Sequence, residues 1–116
     1  MHSDIRVAMY RREKINSILI HEIGDILLKE MEFPLGVLVT VTNAEATEDF
    51  KEAKIFVSVL PFKESQRILE ILGKNIYHIQ QFLNKRLRMK PVPKIFFKID
   101  PSIEQADKVE RLLKND

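Results

Sequence analysis

The chain contains no cysteine, so disulfides and thiolate metal sites are both excluded. It has three glycines, which form no cluster, and no tryptophan. Gly73-Lys74 superficially resembles a phosphate loop, but the upstream glycine and the following Ser or Thr are missing. No apolar run approaches the ~20 residues that cross a bilayer. The opening MHSDIRVAMYRR lacks the apolar stretch of a signal peptide. A cytoplasmic protein without a membrane partner is the expectation. The most telling absence is local: residues 71–99 contain no Asp or Glu.

That window of 29 residues carries seven cations, Lys74, Lys85, Arg86, Arg88, Lys90, Lys94 and Lys98. The chain has 19 Lys and Arg against 17 Asp and Glu, so the remainder holds 12 cations and 17 anions, a balance of −5. A net charge of +2 therefore hides a strong polarity. Such asymmetry speaks to a polyanionic partner and says little about fold. Cations at a helix C-terminus also complement the macrodipole. That accounts for two of the seven and not for the missing acids. Cations of this kind position a protein on phosphates without reading bases.

What remains is one domain of 116 residues with an ordinary apolar fraction of 45%. Ile15, Ile18, Leu19, Ile23, Ile26 and Leu27 recur at helical spacing, which predicts a helix over roughly 8–32. Pro34 disfavours helix at Phe33 and ends it. Val37, Val39 and Val41 alternate with Leu38, Thr40 and Thr42, a strand over 37–43. AEATEDF reads as a polar connection. Ile55, Val57 and Val59 then alternate in a second strand, most simply an antiparallel neighbour. Residues 64–89 are either one helix bent near Gly73 or two helices meeting there. KIFFKID is a third strand, with Ile95, Phe97 and Ile99 on one face and Lys94, Phe96 and Lys98 on the other. SIEQADKVERLL is a closing helix capped by Ser102, with Gln105 able to complete a capping box. Its stripe is Ile103, Ala106, Val109 (or Glu110) and Leu113. Helices on one face of three strands make a two-layer α+β domain.

Catalysis finds no support. His2, His21 and His78 lie far apart and lack partners at metal-ligand spacing. No catalytic residue, metal, cofactor or small-molecule substrate is expected. Phe56 and Phe96 stand among Lys54, Lys94 and Lys98 on the second sheet face. That mixture suits base stacking, but a cross-strand aromatic pair explains it more economically.

Four segments, in order, resemble the ribosome-binding factor A family. RVAMYRREKINSILIHEI is similar to its opening helix. GVLVTVTNAEATEDFKEAKIFVSVL is similar to its hairpin signature, with Asp49, Ala53, Lys54 and Ser58 in the family's places. NKRLRMKPVPKIFFKID is similar to its basic segment, Val-Pro step and Phe-rich strand, and SIEQADKVERLL to its last helix. The resemblance implies a type II KH-like fold: helix, two strands, two helices, strand, plus the C-terminal helix. It implies a monomeric, non-catalytic assembly factor binding 16S-type ribosomal RNA and the small ribosomal subunit, with a part in maturing the RNA 5′ end and in growth at low temperature. Other KH domains clamp nucleic-acid backbone at the helix–helix junction. The family has an Ala-x-Gly kink there, which falls on Asn75-Ile76-Tyr77, with Gly73 two residues before to supply the bend. Lys74, Asn75 and His78 are the polar groups at that junction, and Gln80 stands where the family often has Arg. The expected RNA-binding set is Lys74, Asn75, His78, Lys85, Arg86, Arg88, Lys90, Lys94 and Lys98. The rival expectation is a protein–protein adaptor docking through Phe56, Phe96 and Leu38 on the open sheet face.

Overall fold

The computed structural model describes residues 2–114, and the side chains of 5–102 and 108–113. In chain order the elements are α1 (His2–Glu30), β1 (Leu38–Ala46), β2 (Glu52–Leu60), a 3-10 turn (Phe62–Glu64), α2 (Ser65–Lys74), α3 (Ile76–Arg86), β3 (Lys94–Ile99) and α4 (Pro101–Lys114). The sheet order is β1-β2-β3. β1 and β2 pair antiparallel, and β3 joins β2 in parallel after the α2–α3 crossover.

The core lies between the sheet and α1, α2 and α3. Leu19, Ile23 and Ile26 of α1, Ile68 and Leu72 of α2, and Ile79 and Leu83 of α3 bury against Ile55, Val57, Val59 and Ile95. These residues follow the helical and strand periods of the sequence, which is why the two-layer order is legible there. Ile18 lies off the buried stripe and is exposed. α1 begins at His2 instead of near residue 8. Ile5, Val7, Met9 and Tyr10 are exposed, so its first turns overhang the sheet and leave no burial signal to read. Helix-favouring residues such as Ala8, Met9 and Arg11 carry the overhang.

β1 extends to Ala46, into the segment expected to be a connection. The reason is a bulge: the register shifts between Val41 and Asn43, leaving Thr42 unpaired. Val39 and Val41 face inward before it and Ala44 and Ala46 after it. An extra residue moves the inward set from odd to even positions, which breaks the alternation that marks a strand. α1 then ties down the end of β1, because Asn16 Oδ1 accepts from the Ala46 N–H at 2.8 Å and Arg12 Nε donates to the Ala46 carbonyl at 2.6 Å. In the hairpin turn, Asp49 Oδ1 accepts from the Thr47 hydroxyl (2.7 Å) and the Lys51 N–H (3.1 Å). Those bonds hold the Asp49 carboxyl below the usual carboxylate range. They also frame Phe50, a non-glycine residue at φ 59° whose side chain packs against the core.

α4 starts one residue earlier than expected, and its cap is Asp100. Asp100 Oδ1 accepts from the Ser102 N–H at 2.9 Å and the Ser102 hydroxyl at 2.7 Å, so Ser102 is a donor in the first turn. Gln105, Ile103 and Ala106 lie outside the described side chains. Val109 and Leu113, expected in a buried stripe, are exposed. No described helix is long and apolar enough to cross a membrane.

Candidate nucleic-acid interface

α2 and α3 are separate helices that meet at a single residue, Asn75. Its φ of −105° and ψ of 7° leave the helical region. Its N–H reaches back to Ile71 and Leu72 (3.2 Å each), and its side chain donates to the Ile71 carbonyl at 2.8 Å. The Ile71 carbonyl thus accepts twice from Asn75, once from its backbone and once from its side chain, which fastens the break to the last turn of α2. The bend expected from Gly73 belongs to Asn75. Gly73 sits inside α2 with no positive φ and open space around its missing Cβ. Ile76 turns inward against the core. Tyr77 is 68% exposed, its ring edge-on to His78 at 5.7 Å between centroids.

The nine expected RNA-binding side chains fall into three groups. Lys74 and Asn75 stand at the junction. His78 and Lys85, seven residues apart on α3, share one face with Gln81 beside it, and all but Asn75 are exposed. Arg88, Lys90, Lys94 and Lys98 form the second group, on the segment leaving α3 and along β3, all but Arg88 placed by a contact or register. Lys90 Nζ donates to the Asn84 carbonyl at 2.9 Å, and Lys90 and Lys94 line one shallow groove with Gln80 and Asn84.

Arg86 stands alone as the third group, because it is engaged by carboxylates of α1. Its Nη1 donates to Asp25 Oδ2 at 2.6 Å and Glu22 Oε2 at 3.2 Å, both on α1. Lys29 adds a second cation to Asp25 at 3.2 Å. The hydrogen bond from Arg86, then that from Lys29, holds the Asp25 carboxyl low, and Asp25 in turn raises Arg86. A guanidinium with two carboxylates at hydrogen-bond distance joins α3 to α1. The other cations of the acid-free window have no carboxylate within ion-pair distance among the described residues.

In the sequence Gln80 is only a departure from a family pattern; in the structure it is a clamp. Its amide donates to Asn84 Oδ1 (3.1 Å) and to the Pro93 carbonyl (3.0 Å), and its oxygen accepts from the Ile95 N–H (3.0 Å). It thereby fastens the basic segment onto α3 where β3 begins. At the other end of β3, Asp100 accepts from the Thr42 hydroxyl at 2.7 Å, clasping the β1 bulge. The Ser102 hydroxyl, the Thr42 hydroxyl and the Ser102 N–H hold the Asp100 carboxyl below its ordinary range. Among the described residues, no three His, Asp or Glu side chains gather as a metal site.

Three helices on one face of a mixed three-stranded sheet, with the crossover helices broken at one residue, define a type II KH-like domain. The chain belongs to the ribosome-binding factor A family, whose family model matches residues 11–113. It is 43% identical over 105 residues to ribosome-binding factor A of Natranaerobius thermophilus, covering 90% of this chain and 80% of that one. It is 33% identical over 104 residues to the protein of that name from Thermodesulfovibrio yellowstonii, covering 90% and 88%. The crystal structure of ribosome-binding factor A from Thermus thermophilus superposes with a TM-score of 0.68 at 19% identity, over 76% of this chain and 93% of that one. A homology model of the Thermus thermophilus factor, fitted into a cryo-EM map of its complex with the 30S subunit, gives 0.64 at 21% identity, over 74% and 91%.

Proposed function

We propose that this chain is a non-catalytic assembly factor that binds 16S-type ribosomal RNA, or its precursor, in the small ribosomal subunit during maturation. The observation that carries the reading is the exposed, carboxylate-free set Lys74, Lys85, Arg88, Lys90, Lys94 and Lys98 on a KH-like scaffold. Family membership and the 30S complex of the Thermus relative support the same partner. The mechanism is differential binding. By preferring one RNA arrangement, the protein shifts the population toward a state that assembles further or is processed at its 5′ end. It acts as a monomer in the cytoplasm, where it is of greatest use at low temperature, when alternative RNA pairings persist. Lys74 and His78 approach the backbone at the Asn75 junction, Lys85 extends the contact along α3, and Arg88 and Lys90 continue it on the segment that leaves α3.

Phosphate contacts release counterions, at about 0.7 per contact for single strands. Six such contacts give a slope of about −4 in log affinity against log salt, or a loss of roughly 300-fold between about 50 and 200 mM. The test titrates the protein against isolated small subunits and 16S-type RNA over that range. Replacing Lys85, Arg88 and Lys90 by Gln is expected to flatten the slope by about 2. Replacing Lys29 and Lys63, which lie outside the window, is expected to leave it unchanged. Equal losses from both sets mean generic charge and no site. The adaptor reading draws on the outer sheet face, where Leu38 and Leu60 pair across the strands at 61% and 57% exposure. Affinity for small subunits that ignores salt decides for it.

A further inference from the structure

The strand register assembles a surface around Phe96 that shares Lys94 and Lys98 with the basic set above and adds Lys54 from β2. We propose that the outer face of the sheet is a stacking platform for an unpaired base of single-stranded RNA, with the Phe96 ring as the platform and Lys54, Lys94 and Lys98 holding the flanking phosphates. This rests on the RNA-binding reading above and assigns it a second, base-contacting site.

Strand alternation puts Lys94, Phe96 and Lys98 of β3 on the face opposite the core, together with Lys54 and Phe56 of β2. In the parallel pairing Lys54 stands opposite Phe96, and Phe56 opposite Lys98. One aromatic ring is thus bordered by a cation across the sheet and by two along its own strand, each about 7 Å away at strand rise. Phe96 is 39% exposed, although Ile95 beside it is buried, so its ring serves no core. The economical alternative is a cross-strand aromatic pair. The register sets Phe56 and Phe96 on a diagonal, and among the described residues the one ring–ring contact is Tyr77 with His78. The Phe96 ring instead meets an ammonium, Lys94 Nζ, at 5.5 Å from its centroid. A cation over an exposed ring is a weak, movable contact that a base can replace. When that happens, the released ammonium has a phosphate to take.

Beside the ring runs a groove of about 460 Å³, lined among others by Arg12, Glu45, Glu52, Lys54, Phe96 and Lys98. That is room for a base and its sugar. The two acids face Lys54 and Lys94 in register and lower the field there. Phosphate attraction on this face is therefore modest, and stacking, which every base offers and salt barely touches, carries the greater share.

The test measures fluorescence anisotropy of labelled oligo(A) and oligo(U) RNA with the full chain, across the same salt range, and repeats it with small subunits. Stacking on one aromatic side chain corresponds to roughly five- to a hundredfold in affinity. Phe96→Leu is expected to lower affinity by about tenfold or more while the salt slope stays as in the wild type. Phe96→Tyr, which keeps a π-face, is expected to bind within about twofold of wild type. Lys54→Gln with Lys98→Gln is expected to flatten the slope by about 1.4. If Phe96→Leu binds as wild type while Lys85→Gln with Arg88→Gln loses affinity, the platform is overturned and the RNA-binding reading stands. If Phe96→Leu spares RNA but weakens binding to small-subunit proteins stripped of RNA, the face docks protein and the platform is likewise overturned. If the wild-type chain binds neither oligonucleotide nor subunit, both readings fall together. Far-UV circular dichroism of each variant separates loss of binding from loss of fold.

Discussion

Removing the Gln80 side chain should loosen the joint between α3 and β3. In Gln80→Ala, the Ile95 N–H loses its 3.0 Å acceptor and the Pro93 carbonyl its 3.0 Å donor. Ile95 is 1% exposed, so water does not readily replace the lost acceptor. Leaving one buried group unsatisfied costs about 1–3 kcal/mol, and the second lost bond adds about 1. Alanine returns roughly 0.3 kcal/mol of helix propensity. The net loss is about 2–4 kcal/mol. With an unfolding entropy of about 2.1 cal/mol/K per residue, that lowers Tm by roughly 8–16 °C. The assay is thermal and urea unfolding followed by circular dichroism, the chain having no tryptophan. Gln80→Glu probes the same joint through pH. Its carboxylate still accepts from Ile95, but its second oxygen faces the Pro93 carbonyl, which raises the folded-state pKa above the unfolded value of about 4.3. The variant is therefore most stable when protonated, below that unfolded pKa, and loses stability as pH rises through the folded value. A Gln80→Ala shift below about 2 °C, or a Gln80→Glu deficit that does not shrink in acid, refutes the clamp.

Gly73→Ala is expected to stabilise the protein by about 0.5–1 kcal/mol, because the residue is helical and a Cβ meets nothing within 4 Å; destabilisation in a urea titration would return the bend to Gly73. Restoring the family's kink with Asn75→Ala and Tyr77→Gly should cost about 1–2 kcal/mol, through the lost bond to Ile71 and lower helix propensity, since Tyr77 has little packing to lose. Asp100→Asn should destabilise the protein at neutral pH, and the gap should close in acid. The three hydrogen bonds at Asp100 depress its folded pKa, so its contribution is present above the unfolded value of about 3.9 and is lost as pH falls through the folded one. A deficit independent of pH would mean that the carboxylate's charge is not what caps α4.

By itself the sequence determined the element order, the inward faces of α1, α2, α3, β2 and β3, and the concentration of charge in residues 71–99. Each of these is local: a helix or strand face repeats every few residues, and an acid-free run needs no partner to be seen. Tertiary packing decided what those residues do. Arg86 lies 61 and 64 residues from Asp25 and Glu22, so only the approach of α3 to α1 turns it from a surface cation into a tie. The one-residue bulge at Thr42 hid the second half of β1, because inserting a residue inverts the alternation by which a strand is recognised. The bend came to Asn75 and not to Gly73, since a side chain able to bond the Ile71 carbonyl ends a helix more firmly than a residue that merely permits bending. And it is register, invisible in any single strand, that sets Lys54 against Phe96, because the identity of a cross-strand neighbour depends on how two distant segments slide past each other as they pair.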